Sequence, residues 1–323
     1  MDLRHLRQFV AVAEEGHITR AAERLGMQQP PLSQRVKAIE TELDVQLFRR
    51  KARGVELTEA GRVFLDRARA TLAQYDGALE ATRSAARGEQ GRLYIGLMPT
   101  VPFHPFVPFV IRTFRTAFPG VSLSLDECLR KEAIQRLRDQ QMDVAFVRAP
   151  LDEPQILAVH PLLIEPMAVA LPGDHALARR GSDEPISLKE LAGETFIIYA
   201  RHLGPAFYEA TIAACHKAGF SPQLGQEAPR ITSALSLVAV GLGISLVPSC
   251  MQRMTMDGVA YRPLKGAAQP KAALYLASRL GEPSPVARNF MSLARRAARD
   301  FQDETGEGCP IGMSASGQPA NFR

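Results

Sequence analysis

A stretch near the amino terminus, residues 19–47, limits what this chain can fold into more than any other. It reads TRAAERLGMQQPPLSQRVKAIETELDVQL, in which two short helical patterns stand on either side of a turn. Thr19 offers a hydroxyl that can cap the first helix, Gly26 supplies the turn, and Pro30 suits the first turn of the second helix. Two short helices around a tight turn are typical of the helix-turn-helix unit, whose second helix enters the major groove of DNA.

The second helix of this unit is predicted to bury one face and to expose the other. Its apolar side chains recur at spacings of three and four residues, as Leu32, Val36, Ile39 and Leu43. The polar side chains beyond this stripe are Ser33, Gln34, Arg35 and Lys37. Side chains of these types read base edges in the major groove or contact phosphates. The alternative interpretation is that the unit serves only as a compact way of packing helices.

A basic segment follows the unit and completes the predicted DNA surface. Four cations fall within Arg49-Arg50-Lys51-Ala52-Arg53, and Gly54 and a short β-like run over residues 55–57 come next, as in the wing of a winged helix. Cations in such a wing contact phosphates, so binding through them weakens steeply with salt. The residues predicted to contact DNA are Thr19, Arg20, Gln29, Pro30, Ser33, Gln34, Arg35, Lys37, Arg50 and Arg53.

The segment from Thr58 to about Arg87 predicts one long helix, because it opens on a capping threonine and holds no proline. Its seam residues alternate spacings of three and four, as Leu65, Ala68, Leu72, Tyr75, Leu79, Thr82 and Ala86. This pattern indicates a coiled-coil seam, and a seam implies a partner helix. The alternative is a helix that packs on its own domain. Gly88 and Gly91 then predict a flexible joint.

Beyond Gly91 the chain alternates strand-like and helix-like patterns, as an α/β domain with parallel strands does. Strands are predicted near residues 92–97, 121–126, 143–147, 167–171, 195–199, 225–228, 243–247 and 272–278, and helices near 106–118, 131–140, 205–218, 232–240 and 285–301. This alternation predicts two small lobes that exchange strands, with ligands bound between them at the carboxyl ends of strands. The residues after about Phe301 lack an apolar period and predict a disordered tail.

Composition and missing motifs exclude several classes of protein. The chain has 323 residues, a net charge of +5 and 46% hydrophobic residues, which fits a globular protein of more than one domain. We find no signal peptide, membrane-spanning run, metal-ligand spacing, phosphate-binding loop or nucleophile motif, so we predict a cytoplasmic protein that is not an enzyme and uses no cofactor. A thiol switch using Cys128, Cys215 or Cys250 stays an alternative, although buried structural cysteines are commoner.

The run AAERLGMQQPPLSQRVKAIETELDVQLFRR, residues 21–50, resembles the amino-terminal signature of LysR-type transcriptional regulators. Where that family usually has a Ser or Thr cap and a Gly, this chain has Gln28 and Asp44, and Gln34-Arg35 inverts a common Arg-Gln pair. The later segments IGLMPT (95–100), FPGVSL (118–123), MDVAFVR (142–148) and SLVAVGLGISLVPS (236–249) are similar to the members that control benzoate, muconate and chlorocatechol catabolism.

The resemblance implies an α/β fold in three parts and a tail. These are an all-α winged helix-turn-helix over residues 1–58, a linker helix and hinge over 59–90, a two-lobed α/β effector domain similar to periplasmic binding proteins over 91–302, and the tail over 303–323. The implied partners are double-stranded promoter DNA, a small aromatic or dicarboxylic acid effector, and further copies of the chain in a homodimer or homotetramer. RNA polymerase is a further candidate partner, and no membrane is involved. Closure of the lobes on the acid would shift the paired DNA-binding units.

An anionic effector needs helix amides and a few cations in the cleft. Thr100 follows a predicted strand and precedes a helix, so its hydroxyl and nearby amides can hold a carboxylate, and Arg130 can supply a bidentate counter-charge. The resemblance aligns both residues with effector-contacting positions. The residues predicted to contact the effector are Thr100, Arg130, Arg148, Ala200, Arg201, His202, Phe207 and Thr232.

Overall fold

The computed structural model describes residues 1–52, 54–148, 155–181 and 183–305. The chain divides into two compact units, Met1–Ser84 and a second unit that begins at Ala85. Among the described residues, no helix combines the length and the apolar character that crossing a lipid bilayer requires. The predicted wing residue Arg53 and residues 306–323 of the predicted tail lie outside the described residues.

The first unit contains the predicted helix-turn-helix, the wing and the long helix. Its elements in chain order are α1 (Leu3–Glu15), α2 (Ile18–Arg24), α3 (Gln29–Leu43), β1 (Phe48–Lys51), β2 (Gly54–Leu57) and α4 (Glu59–Ala86). β1 and β2 form an antiparallel hairpin, as a wing requires. Leu32, Val36 and Ile39 of α3 are buried, whereas Leu43, the fourth residue of the predicted stripe, is 37% exposed.

The prediction that Thr19 caps α2 is wrong, because the helix begins one residue earlier and Thr19 lies inside it. His17 is the N-cap, and its Nδ1 accepts a hydrogen bond from the Thr19 backbone amide at 3.3 Å. At α3 the N-cap is Gln28, whose side chain makes no capping hydrogen bond within the described structure. Pro30 and Pro31 carry no amide hydrogen, so the first turn of α3 has fewer donors to satisfy.

The first half of the long helix α4 packs on its own unit, whereas the contact of its second half with a partner helix stays a prediction. Thr58 caps it as predicted, since the Thr58 Oγ1 accepts from the Gly61 amide at 3.0 Å. Gly61 lies against the Leu47 carbonyl, where an added Cβ would come within 2.1 Å of the oxygen. The α4 side chains that pack on the core of their own unit are Phe64, Leu65, Ala68 and Leu72. Tyr75 and Leu79 are 40% and 39% exposed. The apolar side chains Tyr75 and Leu79 in the second half of the seam are therefore accessible to a partner helix.

The second unit is the predicted α/β domain. Its helices are α5 (Phe106–Ala117), α6 (Arg130–Arg138), α7 (Pro205–Lys217), α8 (Ile231–Ala239) and α9 (Pro285–Thr305). Its strands are β3 (Gln90–Leu97), β4 (Gly120–Glu127), β5 (Val144–Val147), β6 (Leu157–Pro172), β7 (Ile186–Ser187), β8 (Thr195–Tyr199), β9 (Gln223–Ala228), β10 (Ser245–Pro248), β11 (Val259–Lys265) and β12 (Lys271–Arg279).

Strand β6 joins the two lobes of this unit, one with the core around Phe106 and Phe146 and the other with the core around Val169 and Phe196. Its first part, to Pro166, pairs with β12, and its second part, from Met167, pairs with β10 and β11. The sequence predicted only residues 167–171 of β6 and missed β11, because Pro161, Pro166 and Pro263 interrupt the strand pattern. The parallel pairs among the described strands are β3 with β4, β3 with β5, β7 with β11, and β8 with β9. Strands β6, β10 and β12 pair antiparallel to their neighbours.

Candidate nucleic-acid interface and ligand cavity

The outer face of α3 is exposed, as a DNA-reading helix requires. Gln34, Arg35 and Lys37 are exposed and Ser33 is half-buried. The Arg35 Nη1 lies 3.3 Å from the Nε2 of His5 on α1, so this guanidinium leans toward the flank of the unit. Gln29 and Pro30 are exposed at the start of the helix. These residues stay predicted DNA contacts, and their side chains are accessible to a duplex.

Two predicted contacts stand at the start of α2. Thr19 and Arg20 are both exposed there. The Arg20 Nη2 donates to the Glu15 backbone carbonyl at 2.7 Å, which fixes the guanidinium at the end of α1. A cation held in this way can contact a phosphate with little further loss of side-chain entropy.

The cations of the wing differ in their surroundings. Glu56 on β2 accepts from Lys51 at 2.6 Å and lies 3.4 Å from Arg49, and the hydrogen bond from Lys51 lowers the pKa of Glu56. Arg50 is exposed, and it makes no ion pair with any residue that the structure describes. The sequence did not reveal that Glu56 offsets its cross-strand neighbours. Arg50 is therefore the wing cation best suited to bind a phosphate among residues 48–52.

A cavity lies at the carboxyl ends of the parallel strands in the second unit. It encloses about 50 Å³ and is lined from both lobes. Its lining residues follow β3, β4 and β5 on one side and β8 and β9 on the other, as the sequence predicted for a ligand site. They are Met98, Pro99, Thr100, Leu129, Arg130, Arg148, Tyr199, Leu203, Gly204, Pro205, Phe207 and Ile231. Most of these side chains are apolar.

Three helices begin at this cavity, namely α6 at Arg130, α7 at Pro205 and α8 at Ile231. Their N-cap residues are Leu129, Gly204 and Arg230, and none makes a side-chain capping hydrogen bond in the described part of the chain. The first amides of a helix have no partner within the helix and carry a partial positive charge. Uncapped helix starts around one cavity favour an anion there.

Arg148 of the cavity wall forms a buried ion pair with Glu165, which lies behind the wall. Arg148 donates from Nη1 to Glu165, from Nε to the Thr100 hydroxyl at 3.0 Å, and from Nη2 to the Cys250 Sγ at 3.3 Å. Glu165 also accepts from the Ser249 hydroxyl at 3.1 Å and from the Cys250 amide at 2.9 Å. The guanidinium is thus neutralised by a carboxylate before any ligand arrives.

The charges of this network set the protonation of its members. Burial alone would raise the pKa of Glu165, but Arg148, His104 and the Cys250 amide together hold it below the ordinary value. Burial lowers the pKa of His104 to about 4, even though Glu165, 3.9 Å away, acts to raise it. At neutral pH Glu165 is therefore a carboxylate and His104 a neutral imidazole.

The predicted effector residues divide into two groups. Thr100, Arg130, Arg148 and Phe207 line the cavity, and the remaining four do not appear in its wall. The Ala200 amide donates a hydrogen bond to the Ala228 carbonyl. The Arg201 side chain is 68% exposed and forms an ion pair with Glu209. His202 is exposed, and Thr232 lies one residue beyond the lining Ile231. These four stay predictions that the cavity in this conformation does not support.

Several residues behind and around the cavity were missed by the sequence analysis. Glu165 and His104 lie outside every motif found in the sequence. Ser249 ends the segment 236–249, but nothing in that segment indicated a site residue. Tyr199 and Leu203 lie immediately before and after the predicted run 200–202 and line the cavity in its place. The only signal in the sequence was their position at the end of β8 and in the segment that follows it.

The cysteines offer little for the alternative of a thiol switch. Cys128, Cys215 and Cys250 are free and buried. Burial raises the pKa of Cys128 and Cys215 to about 11 and that of Cys250 to about 12. The thiolate is the reactive form, so these groups are poor nucleophiles at neutral pH.

Comparison with known proteins agrees with this organisation. Residues 3–62 match the model of the bacterial regulatory helix-turn-helix protein, lysR family, and residues 86–299 match the LysR substrate binding domain. The chain is 36% identical over 294 residues to the HTH-type transcriptional regulator AlsR of Bacillus subtilis (strain 168), covering 91% of this chain and 95% of the relative. It is 34% identical over 302 residues to the HTH-type transcriptional regulator CatR of Pseudomonas putida, covering 92% and 100%.

A solved structure extends the likeness over nearly the whole chain. The crystal structure of full-length CbnR complexed with its target DNA superposes with a TM-score of 0.78 at 28% identity, covering 92% of this chain and 100% of that chain. The named relatives are transcriptional regulators and not enzymes, in agreement with the sequence prediction.

Proposed function

The chain belongs to the LysR family of transcriptional regulators, and from this premise we propose that α3 and the wing bind duplex DNA while the cavity of the second unit binds a small organic acid. Support for the first part comes from the exposed polar face of α3 and from Arg50 on the wing. The similar CbnR chain was solved in complex with its target DNA, which favours the same activity for this chain. We further propose that α4 pairs copies of the chain into dimers and tetramers and that RNA polymerase is a partner.

The DNA proposal separates base reading from phosphate binding. Gln34→Ala should relax sequence preference on the operator, because an amide that reads a base edge is lost. Arg50→Ala should weaken binding to all duplexes alike and lower the salt dependence, because one phosphate contact is lost. Binding curves on operator and scrambled duplexes at several salt concentrations measure both effects. Equal losses on both duplexes for both variants would contradict this division of roles.

The observation that carries the ligand proposal is the meeting of three uncapped helix starts in a largely apolar cavity. Helix amides and Arg130 suit one carboxylate, and Met98, Leu203 and Phe207 suit an apolar body. Arg148 adds little net charge because Glu165 offsets it. We therefore favour a monocarboxylic acid with an apolar or aromatic body, and a dicarboxylic acid is the second candidate.

Within this cavity Thr100 is the residue best placed to orient a carboxylate. Its Oγ1 accepts the Nε–H of Arg148, so its own hydroxyl hydrogen can donate to a ligand. Arg148 then acts by positioning Thr100, which differs from the direct contact that the sequence predicted. An enclosed volume of about 50 Å³ has room for only one or two waters, so binding of an aromatic acid requires the lobes to adjust.

Ligand-induced thermal stabilisation tests this site. Benzoate is the monocarboxylate probe and muconate the dicarboxylate probe. The first should raise the unfolding temperature of the full chain, and the shift should disappear in Thr100→Val with Arg130→Ala while DNA affinity is retained. Arg201→Ala is the matched control, because Arg201 is exposed and absent from the cavity wall. A full shift in the double variant would remove this site.

A further inference from the structure

A second concave surface lies on the same unit, away from the cavity of the parallel strands. It has a volume of about 460 Å³ and runs between α9 and the paired ends of β6 and β12. One wall is formed by α9, and the other by the start of β6, the end of β12 and the turn that follows β12. The lining residues are Ala158, His160, Ser278, Arg279, Leu280, Gly281, Pro283, Arg288, Met291, Ser292, Arg295 and Arg299. We call this surface the arginine groove.

The arginine groove concentrates positive charge. Arg288, Arg295 and Arg299 recur at spacings of seven and four residues, which puts them on one face of α9 over about 16 Å of helix. Arg279 faces them from the end of β12. The described residues that line the groove include no carboxylate, and Glu282 reaches only Arg288, at 3.2 Å. The net charge of these five side chains is +3.

Neighbouring groups in the groove respond to this charge. The Arg295 Nη2 lies 3.4 Å from the His160 Nε2. Burial lowers the pKa of His160 first, and the charge of Arg295 lowers it further. Arg288 lies in the first turn of α9, where a cation opposes the helix dipole. Like charges clustered in a groove repel one another and lower the stability of the protein without a ligand. A bound anion would offset this repulsion.

We propose that the arginine groove is an anion site that binds a diphosphate group, either free or carried on a small organic molecule. Guanidinium forks match the non-bridging oxygens of phosphates in a bidentate manner. A diphosphate carries about three negative charges at neutral pH, equal to the net charge of the groove. The volume of the groove lies within the range of small-molecule sites, and Leu280, Pro283 and Met291 offer apolar contact to an attached organic group.

Titration calorimetry of the full chain with inorganic pyrophosphate tests this site. Pyrophosphate should bind with one site per chain, and ADP should bind comparably if an attached organic group is accepted. Arg295→Gln with Arg299→Gln should raise the dissociation constant for pyrophosphate by at least about tenfold, because two charge-assisted contacts are lost. Arg296→Gln is the matched control, because Arg296 is exposed on the same helix and outside the groove lining. It should leave binding unchanged.

Further arms distinguish the arginine groove from general anion binding and from binding at the wing. Sulfate at equal ionic strength tests for a general anion effect, citrate tests for a tricarboxylate, and Arg50→Ala tests for binding at the wing. Equal affinity for sulfate or citrate, or a loss of binding in Arg50→Ala, would overturn the assignment. Arg279→Gln is a second groove variant should the double variant fail to fold, and it should also weaken binding. Undiminished pyrophosphate binding in a folded groove variant would overturn the proposal as well.

Discussion

At the scale of single residues, the behaviour of the cavity depends on groups that stand behind its wall. Arg148 and Glu165 are 6% and 1% exposed and neutralise each other. A buried pair of this kind adds little net stability, but removing one partner leaves the other charge uncompensated. Thr100 is fixed by this pair, and Ser249 and the Cys250 amide satisfy the second carboxylate oxygen. The pair therefore fixes the Thr100 hydroxyl, which we propose to contact the ligand.

His104 should make the stability of the protein depend on pH between about 6.5 and 4. The folded imidazole stays neutral down to about pH 4, whereas the unfolded one takes up a proton near 6.5. The unfolded state then binds more protons in this window, so the free energy of unfolding falls as the pH falls. The loss from this group is at most about 3 kcal/mol.

His104→Asn should flatten that dependence, because an asparagine oxygen can still accept from the Phe106 amide without titrating. Urea unfolding at pH 7, 6, 5 and 4 measures the slope for both proteins. His202→Asn is the control for loss of an exposed imidazole. An unchanged slope in His104→Asn would show that another group causes the acid sensitivity.

At the scale of elements, the carboxyl end of α3 has an aspartate at a position where glycine is the common residue. The carboxyl end is Asp44, which adopts a left-handed conformation with φ of 53°. Glycine adopts this conformation without steric cost, and a negative charge at a helix carboxyl end opposes the dipole. The helix that carries the predicted base-reading residues thus ends on a mildly unfavourable residue.

Asp44→Gly should raise the free energy of unfolding by about 1 kcal/mol, because it relieves backbone strain and removes the unfavourable charge. Asp44→Asn removes only the charge and should give part of the gain. Urea midpoints of the three proteins at pH 7 measure the effect. A less stable glycine variant would mean that the greater freedom of the unfolded chain outweighs both gains.

At the scale of the whole molecule, the second half of α4 is the surface proposed to contact another copy of the chain. Tyr75 and Leu79 are partly exposed on the predicted seam, whereas Ala68 of the same seam is buried in its own unit. A large exposed apolar side chain stabilises the protein only when another surface covers it and removes it from water. The same helix therefore combines internal packing with the proposed contact to a second chain.

Leu79→Lys should weaken self-association by at least about tenfold, because an apolar contact is lost and a charge is placed in the seam. Sedimentation equilibrium over a range of concentrations measures the dissociation constant. Ala73→Lys is the control, since Ala73 is exposed on the opposite face of α4. Equal weakening by both changes would exclude the seam as the contact.

The sequence alone determined the helix-turn-helix, the buried stripe of α3 apart from Leu43, the capped α4 and most of the strand and helix order of the second unit. These features depend on periodicity, capping and turn residues, all of which act over a few neighbouring residues. Pattern reading also put Thr100 and Arg130 at strand exits, because the carboxyl ends of parallel strands meet at one edge.

Only the tertiary structure decided which groups meet across long intervals of sequence. Glu165 neutralises Arg148, Glu56 offsets two of the wing cations, and Tyr199 and Leu203 replace the predicted run 200–202 in the cavity wall. Four arginines from α9 and β12 likewise meet in one groove only in the folded chain. Charge balance and cavity shape depend on contacts between distant segments, and these contacts exist only after the chain has packed.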